Sequence, residues 1–491
     1  MEFSFDSLLN ARPLDVHVWS DYSEVNLFVN HIYDELSSLD GHEKVNKKLL
    51  KVLLLDLYVC WSTDPNLKIM FSRDNNAYKA KSRYNELFIG KKIIAVADVL
   101  VAEDWIYEVR GFNDRVSGVG FQSRLAPSDR LISYFEEAKF HKFFVQSHPD
   151  RETVVLRSGD KVDVENYEDN RISKRSRSIL KDYNALLDRT HIDIESLHQP
   201  QISIGHGKKS MCLPISQSDK FVRRIFNDES WNKGGRFYGG WWQRCPKQYR
   251  INITLDDIPT AELDFSGLHI VLLYALEGIN YWADIAEDPY EVEPKIPFDT
   301  DIDLRATAKL LLLTALNSDD EKITFGAFRS HAGSNILQKK LTDIELKSML
   351  DALRLRHPKI EHKLAKGVGK DLMFIDSQIT ELLIEKFTYH YECPILTIHD
   401  SYVVPFGYDD ILKQEMEIAF EKVTGVNNPV IKHTTYHYTE LQQEFVDGDY
   451  PKNSWLSSHA TERHKQDWAL FREFKGKPER EKWVPDWTMI F

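Results

Sequence analysis

The chain has 491 residues, 42% hydrophobic and 28% charged. That balance excludes wholesale disorder and leaves room for two to four domains with full cores. A net charge of −13 argues, taken whole, against a nucleic-acid binder.

The N-terminal stretch has neither a basic region nor a long apolar core, so no signal peptide is expected. Residues 1–42 read as a mixed segment. From 43 to 145 the pattern predicts a mainly helical unit: an apolar-periodic helix over Lys47–Cys60, a short turn-helix at 82–87, and a helix over 91–106. That last helix places Ile93, Val96 or Ala97, Leu100 and Val101 on one face. The run after it alternates, breaks at Gly111, Gly118 and Gly120, and returns with basic residues. Helix followed by glycine-broken hairpin resembles a winged helix-turn-helix with its wing near 107–125; a small α+β packing module fits the pattern equally well. Lys79, Lys81, Arg83, Lys91, Lys92, Arg110 and Arg124 are the phosphate-contact candidates.

Residues 146–204 read as a linker with a polar hairpin followed by thumb-like helices, the basic-to-amphipathic helix 171–189 among them. Here Arg171, Lys174, Arg175 and Arg177 either track a backbone or form a solvated helix end. Across 201–250 ten basic residues face three acidic ones, +7 locally against −20 for the remainder, with one acidic concentration at 284–303. A basic channel in an acidic body is compatible with strand binding, because screening makes local charge matter more than the total.

Four motifs lie within 205–445. In 233–246 Gly234 and Gly235 permit tight backbone beside Arg236, and Gln243 stands near Pro246. In 261–276 a strand ends near Asp264 and opens onto an apolar helix; alone, such an aspartate is commonly a helix N-cap. In 305–317 Arg305 and Lys309 share one face of a helix whose leucines cover the other. In 395–405 two apolar runs flank His399, Asp400 and Ser401, as at the tip of a hairpin. Two carboxylates able to share divalent ions, with cations spaced for a triphosphate, are what phosphoryl transfer to a growing strand requires. From 446 to 491 the chain is polar with several tryptophans and is expected to pack on the preceding domain.

In this order the motifs resemble the family A DNA polymerases and the phage-type single-subunit RNA polymerases. Gly235-Arg236 is similar to the Gly-Arg element preceding their palm, with Gln243 and Pro246 similar to the Gln-x-x-Pro after it. Asp264-Phe265-Ser266 resembles motif A, Arg305 and Lys309 motif B, and His399-Asp400-Ser401 motif C. Leu313 and Asn317 stand where the fingers helix of that family carries an aromatic and a tyrosine.

The resemblance implies an α+β right-hand fold, palm and fingers with an antiparallel palm sheet behind the N-terminal unit. It implies that Asp264 and Asp400 bind two Mg²⁺ ions, Mn²⁺ being an alternative, and that Arg305 and Lys309 hold the triphosphate, Lys309 protonating the leaving group. His399 would position the primer terminus, Arg236 and Gln243 would meet the substrate strands, and His269 would stand near the sugar. The implied partners are a DNA or RNA primer-template and nucleoside triphosphates. A primase or template-independent nucleotidyltransferase, or a non-catalytic DNA-binding regulator, are the alternatives. Cys60, Cys212, Cys245 and Cys393, without Cys-x-x-Cys spacing, argue against a zinc site and for a reducing cytoplasm. No apolar run approaches the roughly 20 residues of a membrane span.

Overall fold

The computed structural model describes residues 10–37, 39–114, 119–204, 211–331, 335–433 and 460–475. Two large hydrophobic cores organise them. The first gathers side chains between Val18 and Val145. Its axis is α2 (Glu43–Thr63), whose residues 49–60 are all buried, charged Lys51 and Asp56 included. A helix apolar nearly all round belongs inside a unit rather than on its surface. Around it pack α1 (Ser23–Glu35), α3 (Lys92–Ala102), α4 (Asp129–Glu136) and a sheet of β1 (Ala11–Pro13), β2 (Lys68–Phe71), β3 (Ile106–Val109) and β4 (Ser123–Pro127). The strand order is β1-β2-β4-β3, parallel only between β1 and β2. α1 contributes Val25, Val29 and Ile32 to this same core, so the described residues of α1 pack with the unit after them.

Between β3 and β4 a small hairpin pairs Phe112–Asp114 with Val119–Phe121. A Cβ at Gly111 would lie 2.4 Å from the Phe121 carbonyl oxygen, so only glycine fits there. Gly118 lies outside the described residues. The turn-helix expected at 82–87 is a run of turns.

The second core spans Ile179 to Phe420. It is built on a six-stranded antiparallel sheet of β6 (Ile192–Ile194), β9 (Ile253–Leu255), β10 (Ile258–Phe265), β11 (Leu396–Ile398), β12 (Ser401–Pro405) and β13 (Ile431–His433). The order is β6-β9-β10-β12-β11, with β13 also on β10. Helices α6 (Leu268–Leu276), α7 (Leu304–Leu316), α8 (Glu321–Ser330), α9 (Asp343–Arg356), α10 (Gly369–Tyr389) and α11 (Asp409–Thr424) add their apolar faces to this core.

A second sheet joins β5 (Val154–Leu156), β7 (Val222–Phe226) and β8 (Gly234–Gly239). β5 runs parallel to β7, and the hairpin expected after 145 is reduced to the bridge between Arg157 and Asp163. The predicted helix at 171–189 is α5 (Arg171–Asp188), capped by Asn170 and packed on α10. One buried guanidinium locks these pieces together. Arg224 donates to the Gly235 carbonyl at 2.7 Å, to Ser176 at 2.8 Å and to Ser377 at 3.0 Å, and pairs with Glu381 at 2.8 Å.

The last described helix, α12 (Glu462–Lys475), reaches both units. Trp468 and Phe471 cluster with Phe143, and Asp467 pairs with Lys142 at 2.7 Å. His464 is held between Asp193 at 2.6 Å and Asp257 at 3.1 Å. Trp455, Trp483 and Trp487 lie outside the described residues. No helix among the described residues is long and apolar enough to cross a membrane.

Candidate active site

β10 is the longest strand of the central sheet and carries Asp264 one residue from its end. Its antiparallel register with β12 sets Asp264 opposite Ser401, and Ile398 opposite Ser401 leaves His399 and Asp400 as a two-residue turn between β11 and β12. His399 adopts φ +58°, an uncommon conformation for a residue with a side chain, as a tight hairpin of this kind requires. The Phe265 amide donates to the Asp400 carbonyl at 3.4 Å, which ties the turn to the strand end. Folding therefore makes neighbours of two aspartates that stand 136 positions apart in the chain.

Both aspartates are half-buried. Burial, then the charges of Asp400 and Glu262, push the Asp264 carboxyl up to about 7, against weaker opposition from Lys309 and Lys247. Glu262 does not share the opening. It accepts from Arg250 at 2.8 and 3.2 Å and from Ser401 at 2.7 Å, so the serine after Asp400 serves the strand pairing.

Arg305 and Lys309 project from α7, both exposed, while Ala308, Leu311, Leu312, Ala315 and Leu316 bury the opposite face. Asp303 caps the helix through the Ala306 amide at 2.9 Å. Arg305 donates to Asp288 at 2.8 Å, and Lys309 is near enough to Asp264 to act on its charge. Both cations lie over the ring of Tyr290, at 5.5 and 5.7 Å from its centroid.

Arg236 points from β8 toward the same opening, but its Nε donates to Asp376 of α10 at 2.7 Å, and Nη2 lies 3.4 Å from Nε2 of His269. Burial, Arg236 and Lys309 among others lower His269 to about 4, which keeps the imidazole neutral. Asp376 is buried, with one carboxylate oxygen lacking any hydrogen-bond partner. Gln243 spends its amide inside the protein. It accepts from Gly239 at 3.0 Å and donates to the carbonyls of Phe237 at 3.1 Å and Thr397 at 2.9 Å, bracing the hairpin against β8. His399 is exposed at the turn, 6.5 Å from the Tyr238 ring.

Asp376, Tyr290 and Lys247 stand near the opening without having been marked by any motif. Asp376 sits mid-helix and Tyr290 inside an acidic connector, positions where neither spacing nor residue type gives a signal. The basic stretch 201–250 also resolves differently from a channel. Arg224, Arg236, Arg244 and Arg250 are paired with acids, and Lys220 donates to the Asp188 and Thr190 carbonyls. Lys208 and Lys209 lie outside the described residues.

The donor set fits a hard divalent cation. Asp264 and Asp400 offer oxygen ligands, and the Asp264 carboxyl is raised by burial first and by the neighbouring charges of Asp400 and Glu262 second. No group of three or more His, Cys, Asp or Glu forms a cage among the described residues. Magnesium is commonly held by one or two carboxylates plus substrate phosphates, so a pair suffices.

No family model matches this chain, and no curated protein does. Among solved structures it is similar to the POL domain of Pol1 from M. smegmatis in complex with DNA primer-template and dNTP, at 10% identity and a TM-score of 0.29. The match covers 85% of this chain and 66% of that one. A likeness so distant assigns no residue roles here.

Proposed function

We propose that this protein is a template-directed nucleic-acid polymerase that transfers nucleotides to a 3′-hydroxyl. The observation that carries this reading is the register that sets Asp264 opposite Ser401, beside Asp400, with Lys309 close enough to bear on the charge of Asp264. Asp264 and Asp400 would hold two magnesium ions, or manganese in their place. Bound there, the metals would lower the pKa of the primer hydroxyl and stabilise the pyrophosphate as it leaves. Arg305 exchanges Asp288 for the triphosphate, and Lys309 neutralises the same group and gives a proton to pyrophosphate. His399 orients the primer terminus from the turn. Arg236, kept in place by Asp376, supports the strand beside it, and Gln243 acts as a brace for the hairpin.

Asp264→Asn and Asp400→Asn are each expected to lose incorporation by at least about a hundredfold, with thermal stability and strand binding retained. Extension of a labelled primer by either variant at the parental rate overturns the assignment.

The order β2-β4-β3 with α2 and α3 supports reading 43–145 as winged-helix-like, and a non-catalytic DNA-binding regulator draws on that. Its phosphate-contact candidates are largely engaged, however. Arg83 stacks on Tyr167 and faces Glu152, Arg110 pairs with Glu108, Lys79 pairs with Glu165, and Arg124 is buried. Strand binding without incorporation in either Mg²⁺ or Mn²⁺ favours the regulator.

A further inference from the structure

One face of the three-stranded sheet leads away from the candidate site. Its register pairs Ile225 with Arg236 and Arg223 with Tyr238, and paired residues on antiparallel strands share a face. Arg236 faces His269 in the opening, and Tyr238, two residues on along β8, has its ring 6.5 Å from that of His399. Arg223 is the next side chain outward, on a central strand held by β8 on one side and β5 on the other.

Among the described residues the Arg223 guanidinium makes no hydrogen bond and no ion pair, whereas Arg224 and Arg236 on the same two strands are both paired. Arg223 is half-buried, yet none of its nitrogens is sealed from solvent. The charges acting on it most are Arg151 and Arg157, ahead of Asp163 and Asp15. Both carboxylates are engaged. Asp163 pairs with Arg157 at 2.6 Å, and Asp15 accepts from the His17 amide at 2.9 Å and faces Arg151 at 3.8 Å. Three guanidiniums thus meet two carboxylates, and the surplus charge sits on a rigid strand. Such a guanidinium, already stripped of part of its water, offers its fork to an oxyanion.

Aromatic rings alternate with these cations. Tyr238 is half-buried beside Arg223, and Phe221, two residues before Arg223, carries Arg151 over its ring at 4.2 Å. Arg151 and Phe221 in turn line a hollow of about 970 Å³ between the connector 146–153 and α5, with Lys181 and Arg189 on its α5 side. That volume, at the top of the small-ligand range, takes a few unpaired nucleotides and excludes a duplex. We infer that this face carries single-stranded nucleic acid between the candidate site and the hollow, one base stacking on Tyr238 and a phosphate held by Arg223. The inference rests on the polymerase reading, since it takes the His399 turn as the place where the strand begins. Rings interleaved with cations hold unpaired strands with little regard to sequence, because every base has a face to stack.

The test uses the full chain with Tyr238→Ala, Tyr238→Phe, Arg223→Gln and Arg223→Lys, equal melting temperatures being the folding check. Binding of an unpaired oligothymidylate of about 12 nucleotides, within the range of such sites, is followed by fluorescence anisotropy in EDTA over a series of salt concentrations. Tyr238→Ala is expected to weaken it by about fivefold to a hundredfold, the worth of one stacked base, and Tyr238→Phe to leave it unchanged. Arg223→Gln is expected to flatten the slope of log affinity against log salt by about 0.7, one phosphate contact on a single strand, and Arg223→Lys to restore it. Parental affinity and slope in both Tyr238→Ala and Arg223→Gln overturn the inference. So does a duplex of the same length that binds more tightly and responds to both substitutions. Primer extension is measured in parallel. Binding that depends on both residues, without extension by the parent, sinks the polymerase reading and leaves the track standing. Extension by the parent with binding indifferent to both residues sinks the track alone.

Discussion

Asp264 carries the most informative perturbation in the molecule. Its carboxyl, raised to about 7 by burial and by Asp400 and Glu262, holds its proton through much of the range below neutrality. A divalent cation must displace that proton, so affinity rises with pH up to about 7 and levels above it. Titration with Mn²⁺ at pH 6, 7 and 8 is expected to show about a fivefold gain from pH 6 to 7 and about twofold from 7 to 8. A flat profile would mean that Asp264 does not bind the ion. At this scale the sequence placed both aspartates at apolar strand ends, where the structure has them, because such strands are local patterns. Asp376 and Tyr290 escaped, since their importance comes from the groups facing them across the fold.

Among the elements, α12 has the strongest dependence on a single group. Burial disfavours a charged His464, yet its hydrogen bonds to Asp193 and Asp257 prevail and push it up to about 9. A folded pKa above the unfolded value near 6.5 means stability fully present below pH 6.5 and lost as pH rises through 9. Between those limits docking should weaken by about 3 kcal/mol, the equivalent of that shift at 1.36 kcal/mol per unit. Hydrogen exchange of the 462–475 amides at pH 6 and 9 measures it, and protection independent of pH would contradict it. A minority of the helices were legible: those near 47–60, 91–106, 171–189 and 305–317 appear within a few residues of expectation, because each carries a 3.6-residue apolar repeat. The strand β5 was placed in a hairpin and instead pairs in parallel with β7, some 70 residues on, a partner no local pattern can specify.

For the whole molecule, the sequence overstated the positive charge facing solvent. Counting residues over 201–250 gave +7, whereas the fold engages Lys220, Arg224, Arg236 and Arg250 inward as clamps, Arg224 above all. On the proposed reading, strand affinity in the absence of nucleotide depends on a small remainder that includes Lys247, with Arg305 and Lys309 meeting strand phosphates while no triphosphate holds them. The slope of log affinity against log salt is expected to be about −2 to −3 for a single strand, at roughly 0.7 per phosphate neutralised. A slope steeper than about −6 would reveal a larger phosphate-contact surface than these residues supply.

Because α12 grips Phe143 and Lys142 on one side and Asp193 and Asp257 on the other, its place late in the chain sets a timetable. During synthesis both cores can assemble before this fastener has left the ribosome. Tyr84 and Arg83 already tie the halves together through Leu156, Val164 and Tyr167, and this clasp is added only once residue 475 emerges, so a ribosome stalled before that point would carry folded parts held by fewer ties.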